Sequence, residues 1–188
     1  TILNNFTAAA GADAVAAMGI TQKINMIPMY IALGLSQGIM PLISYNYASG
    51  NHKRMKNTLF FSAKASLGFL TMVAIGYYVG AEPLISSFMK NEAIVAYGTR
   101  FLRGFCLGLP FLCMDFLAVG VFQAVGMGKE ALLFAIMRKI ILEIPALYIL
   151  NALFPLYGLA YAQFAAEVVL AAAAVLVLRR MFKKLERT

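Results

Sequence analysis

Three acids stand inside long apolar runs of this chain: Asp115, Glu143 and Glu167. Asp115 lies in L-P-F-L-C-M-D-F-L-A-V and Glu167 in A-Q-F-A-A-E-V-V-L, each with apolar neighbours on both sides. A charge near a bilayer centre costs about 2.5 to 3.5 kcal/mol on insertion scales, so an acid at that depth is rarely accidental. One use is chemical: a carboxylate facing the interior of a helix bundle can take up and release a proton or a small cation. The other is architectural: a protonated acid can hydrogen-bond a neighbouring helix. For Asp115 and Glu167 both uses stay open. Glu143 has a simpler partner in Lys139, one helical turn earlier, and an ion pair there explains it. A kink at Pro145 is the route by which it would instead turn inward.

Uncharged polar residues fall at comparable depth: Asn4, Asn5, Asn25, Gln37, Ser44, Gln123 and Gln163. Each can hydrogen-bond between helices, and Asn25, Gln37, Gln123 and Gln163 are also candidates for lining a wet cavity. Lys23 and Lys64 lie within a few turns of helix ends, where their ammonium groups snorkel to the interface. His52 stands alone in a basic loop. No paired histidines for a metalloprotease, phosphate-binding glycine loop or nucleophile elbow is present, so a catalytic reading has no residues to rest on and no cofactor is expected.

The elements that must hold these residues are membrane spans. The 188-residue chain is 62% hydrophobic, its mean hydropathy is +0.79, and its charges gather in short breaks between apolar runs. About 20 apolar residues cross the hydrocarbon core as a helix. The pattern predicts an all-α polytopic transmembrane bundle of about five full spans, preceded by the last turns of another helix over Ile2 to Ala10. A break at G-A-D, with an N-cap near Asp13, opens a long helix to about Tyr45 that must tilt, kink at Pro28 or Pro41, or project from the bilayer. The loop N-Y-A-S-G-N-H-K-R-M-K leads to a second span from about Asn57 to Gly80. A short connection through Pro83 to Glu92 follows. The third span runs from about Ala93 to Gly126, with Arg100 and Arg103 at or outside the interface. A fourth covers about Ala131 to Phe154, and after the turn P-L-Y-G the last reaches about Leu178.

Net charge is +8, yet the basic residues form no stripe that would suit nucleic acid, and that partner is excluded. They alternate by loop instead. Lys53, Arg54 and Lys56, then Lys129, Arg138 and Lys139, then the tail with Arg179, Arg180, Lys183, Lys184 and Arg187 fall on one side. The opposite side holds Asp13, Glu82, Lys90 and Glu92. By the positive-inside rule the C-terminus is cytoplasmic. Cys106 and Cys113 share one apolar run with no metal-ligand spacing, and read as buried free thiols. Eleven methionines, with abundant Phe and Tyr, suit an interior that repacks around dissimilar apolar ligands, or ordinary packing. Ala171 to Ala174 suits close helix packing in lipid. The start T-I-L-N-N-F-T lacks the basic region and cleavage pattern of a signal peptide, and reads as a piece of a longer membrane protein.

Two stretches carry a family resemblance. G-L-S-Q-G-I-M-P-L-I-S-Y-N-Y-A-S-G-N-H-K-R-M-K (Gly34 to Lys56) and F-Q-A-V-G-M-G-K-E-A-L-L-F-A-I-M-R-K-I-I-L-E-I-P (Phe122 to Pro145), with the Y-G-L-A turn near Gly158, resemble the multidrug and toxic compound extrusion (MATE) transporters. The resemblance covers nearly the whole chain as the second half of such a protein. It implies that residues 1–188 are the second six-helix lobe of a twelve-helix transporter, truncated in its first helix. It further implies a missing N-terminal lobe as partner, a bacterial inner membrane, and export of cationic or amphipathic compounds driven by proton or sodium entry. Some members carry coupling acids on the first, fourth and last helices of this lobe, and Asp115 and Glu167 fall on its fourth and last. Met40 replaces a polar residue that many relatives carry before Pro41, which makes it a further cavity-lining candidate. The expected function is a cation-coupled antiporter working by alternating access. The alternatives are a flippase for lipid-linked oligosaccharides, needing a cationic cavity built from Arg100, Arg103 and Arg138, and a structural membrane protein indifferent to loss of its acids.

Overall fold

The structure, a computed structural model, describes residues 6–185. Every regular element among them is helical. Residues 6–8 are helical ahead of a turn at Gly11, where φ is 102°. Asn4, Asn5 and Arg187 lie outside the described residues.

Helix α1 runs Ala12–Ala48 and keeps both Pro28 and Pro41 inside one continuous element. Gly11, not Asp13, holds its N-cap position, and Asp13 sits in the first turn, where a negative charge favours the exposed amides. Helix α2, His52–Val79, begins earlier than hydropathy suggests. The Oδ1 of Asn51 accepts the amide of Arg54 at 3.1 Å, so the basic residues form the first helical turn and the loop shrinks to a few residues around Gly50. Helix α3, Ala81–Ser86, is the short helical turn within the predicted connection.

The third predicted span is broken. Helix α4, Glu92–Cys106, and helix α5, Leu109–Ala124, meet at a 46° bend. Pro110 falls in the first turn of α5, where its missing amide and fixed φ start a helix but cannot continue one. Cys106 and Cys113 therefore belong to different helices, both buried and free.

The fourth predicted span is also not uniform. Helix α6, Gly128–Ile136, passes into a π-helical segment, Met137–Glu143, and then into helix α7, Ile144–Leu153. Pro145 cannot donate to the carbonyl one turn back and its ring crowds that oxygen; the widened π turn lies where this conflict falls. Helix α8, Gly158–Leu185, continues past the expected end, so the basic tail is helical as far as it is described.

Three helices, α1, α2 and α8, are each long and apolar enough to cross a membrane, and α4 with α5 makes a fourth across the bend. The remaining predicted span, the fourth, corresponds to α6, the π segment and α7 in succession.

Helix α5 occupies the centre, against α1, α2 and α8. Leu117, Ala118, Val121 and Phe122 of α5 pack with Ala32, Leu70, Leu170 and Ala174. Two contacts are close enough to need glycine. A Cβ on Gly104 of α4 would lie 2.5 Å from that of Ala160 on α8, and one on Gly120 of α5 would collide with Ser36 of α1. Ser36 in turn donates its hydroxyl to the carbonyl of Phe116 at 2.6 Å. The outer surface is apolar, with Phe60, Phe61, Met72, Ile75, Leu132 and Ile149 among its exposed side chains. This is the surface expected where lipid or another helical lobe is the solvent.

Candidate functional site

Three helical segments converge on one polar cluster. Asp115 projects from the middle of α5, Glu167 from α8, and Arg138 from the π-helical segment. The side chains of Asp115 and Glu167 are only 3% and 1% exposed, and that of Arg138 is 14% exposed. Arg138 donates from Nε to Oε1 of Glu167 at 3.1 Å, and its Nη2 lies 3.0 Å from the same oxygen. Its Nη1 lies 3.6 Å from Oδ2 of Asp115, a looser ionic contact. The guanidinium also stacks 4.8 Å from the ring centre of Phe116, so the cation is held between two acids and an aromatic face.

The charge balance of this cluster is odd. One guanidinium faces two carboxylates, so one negative charge is left over when both acids are ionised. Two oxygens are also left over. Oδ1 of Asp115 and Oε2 of Glu167 are buried and accept no hydrogen bond. A buried acid in that position is costly unless it gains a proton or a cation. With both acids ionised, the cluster is one positive charge short of neutrality.

Arg138 is the residue that reading the sequence alone misplaces. Its position beside Lys139 suggests a loop or interfacial cation on the basic side, yet the structure turns it inward. Lys139 takes the outward role: its Nζ lies 2.8 Å from both oxygens of Glu143, and the lysine is 68% exposed. The i, i+4 spacing of Lys139 and Glu143 was legible in advance and leaves Arg138, its neighbour, on another face. An arginine set among apolar residues with two buried acids unpaired elsewhere is the signal that could have found it.

The cavity-lining candidates divide. Gln37, Met40 and Gln123 share one cleft of about 520 Å³, with Pro41, Ser44 and Ala124, where α1 meets the end of α5. Asn25 is elsewhere on α1, buried, with Oδ1 unpartnered. Gln163 lies on α8 one turn before Glu167 and is partly buried, apart from the cleft. Lys23 and Lys64 are exposed.

Arg100 and Arg103 make their contacts outside the cluster. Arg100 donates to the hydroxyl of Tyr157 at 2.6 Å, and Arg103 donates to the carbonyl of Tyr78 at 3.1 Å. Both line a cavity of about 650 Å³ that also contains Glu82, Lys90 and Glu92, so its charge is mixed. Among the described residues no group of three His, Cys, Asp or Glu side chains could hold a metal ion.

The fold is thus a helical membrane bundle with one broken span and two buried acids bridged by an arginine. The chain belongs to the MatE family, whose profile matches residues 1–149. The multidrug export protein MepA of Staphylococcus saprophyticus is 32% identical over 176 residues, covering 94% of this chain and 39% of that protein. The chain thus spans about two fifths of that relative's length. The outward-facing conformation of a multidrug resistance MATE family transporter of the MOP superfamily superposes with a TM-score of 0.92 at 19% identity, over 99% of this chain and 42% of that one. The MATE transporter ClbM in complex with Rb+ superposes with a TM-score of 0.88 at 22% identity, over 99% of this chain and 44% of that one.

Proposed function

We propose that this chain is the second lobe of a cation-coupled antiporter, and that Asp115, Arg138 and Glu167 form its coupling site. The observation that carries this reading is the excess negative charge of the cluster, with one orphaned oxygen on each acid. In the cation-free state Arg138 bridges the two acids. Entry of a proton onto one carboxyl, or of a monovalent cation onto the two orphaned oxygens, relaxes Glu167's hold on Arg138. The helices bearing the three groups then shift relative to one another, and the lobe favours the other face of the membrane. Binding of Rb+ by ClbM, a protein of this fold, is consistent with a site for small monovalent cations.

The exported compound is a cationic or amphipathic small molecule, by analogy with the multidrug export relative. It would be held between this lobe and a first lobe like the one the longer relatives carry, with the Gln37–Met40–Gln123 cleft facing that space. The lobe sits in a bacterial cell membrane with the basic end of α8 on the cytoplasmic side, where Lys and Arg accumulate. The flippase reading has less support, because Arg138 is neutralised by two acids and Arg100 and Arg103 share their cavity with Glu82 and Glu92.

The test is ethidium efflux from cells expressing the complete reading frame, wild type against Asp115→Asn at matched expression. Loss of efflux in the variant supports coupling through Asp115. Full efflux in both Asp115→Asn and Glu167→Gln removes the coupling site and leaves the cluster a packing device.

A further inference from the structure

A groove between α2 and α8 lies outside the acid cluster and has a different chemistry. It encloses about 560 Å³. At one end stand Lys56 near the start of α2 and Arg179 and Lys183 near the end of α8; Lys64 lies two turns further along α2. The floor is apolar, with Leu59, Leu67, Met114, Leu117, Val175 and Leu178. Among the described residues no acid lines it, and α2 contains neither Asp nor Glu along its whole length. Phe60 and Leu67 on its edge are exposed, so the groove opens sideways from the bundle rather than into it.

The arrangement is graded along the helices, as a bilayer is graded along its normal. Cationic groups concentrate at the end where both helices carry their basic clusters, and the walls become hydrocarbon toward the middle. Lys64 shows the same polarity within one side chain. Its Nζ lies 4.7 Å above the ring of Phe60, one turn back toward the basic end, so the stem covers apolar wall while the charge leans to the mouth.

We propose that this groove is a binding site for an anionic phospholipid, with the phosphodiester headgroup held by Arg179, Lys183, Lys56 and Lys64 and one acyl chain along Leu67, Met114 and Val175. Charge complementarity selects the headgroup: basic pockets between membrane helices favour anionic over zwitterionic lipids. The lateral opening selects a lipid over a soluble phosphate, because the apolar floor leads away from water. Bound there, one lipid ties α2 to α8, and α8 carries Glu167. The proposal does not depend on the coupling role of the acids.

The test is native mass spectrometry of the full chain released from mild detergent after incubation with equimolar phosphatidylglycerol and phosphatidylcholine. The expected result is retention of one phosphatidylglycerol in preference to phosphatidylcholine. Arg179→Gln with Lys183→Gln should lower that retention about 25-fold, since each basic side chain near an anionic surface contributes close to a factor of five. The charge-keeping pair Arg179→Lys with Lys183→Arg should restore it, which separates headgroup binding from folding. Lys90→Gln with Arg100→Gln removes the same charge at the other end and should leave it unchanged. Equal retention of both lipids, or equal loss in both neutral pairs, overturns the proposal. So does a lipid-free dimer that vanishes in Arg179→Gln with Lys183→Gln, which would assign the groove to a second copy of the chain.

Discussion

Arg138 of the π-helical segment and Glu167 of α8, 29 residues apart in sequence, are joined by a 3.1 Å hydrogen bond from Nε to Oε1. The same guanidinium reaches Asp115 on α5, so a single cation links three helical segments in the apolar interior. Its removal would leave two carboxylates facing each other with nothing to balance them.

That imbalance sets the first expectation. Arg138→Gln should destabilise the bundle by about 3 to 5 kcal/mol, the usual cost of stripping one partner from a buried ion pair. Adding Glu167→Gln in the same chain should recover a large part of the loss, because the stranded charge goes with it. Thermal unfolding of both variants in detergent checks this. Equal melting temperatures for the single and double variants would mean the acids are not charged in the resting state.

Pro145 gives a second. The π turn ends two residues before it, where a proline cannot complete an ordinary helical hydrogen bond. Pro145→Ala restores the donor and lets the segment tighten to α-helical register, which rotates Arg138 away from the acids. Melting temperature should hold or rise while ethidium efflux from the complete reading frame falls several-fold. Unchanged efflux would show that Arg138 holds its place without the π turn.

Glu143 should be nearly silent. Its partner Lys139 is 68% exposed, and such pairs contribute about 0 to 1 kcal/mol. Glu143→Gln should keep efflux within about twofold of wild type, against the loss expected for Asp115→Asn. An efflux defect as deep as that of Asp115→Asn would bring Glu143 into the coupling site.

The cleft of Gln37, Met40 and Gln123 predicts a change of preference rather than a loss of drive. Met40→Thr replaces an adaptable thioether with a short polar group. It should weaken resistance to bulky apolar cations more than to small polar ones. Minimum inhibitory concentrations across a dye panel, for cells carrying the complete reading frame, read this directly. A uniform change across the panel would indicate a folding or expression effect.

Much of this was visible in one dimension because membrane helices obey a local rule. Apolar runs bounded by charge marked the long helices α1, α2 and α8, since in lipid each helix must satisfy its own backbone whatever its neighbours do. Asp115 and Glu167 stood out for the same reason: an acid in an apolar run is conspicuous without any knowledge of its partners. The pairing of Lys139 with Glu143 was legible because a single turn of helix places them together.

What spacing could not decide was where each helix bends and which way a charged residue faces afterwards. The break between Cys106 and Leu109 lies inside an uninterrupted apolar run, and the charges of the Met137–Glu143 segment do not mark it as a π turn. Adjacent residues of like charge look alike in sequence, and only the packing of the π segment against α8 sends one inward to two acids and the other out to Glu143. The chain alone determined that buried acids exist; the tertiary structure alone decided that one arginine binds them, because that contact joins residues no local periodicity relates.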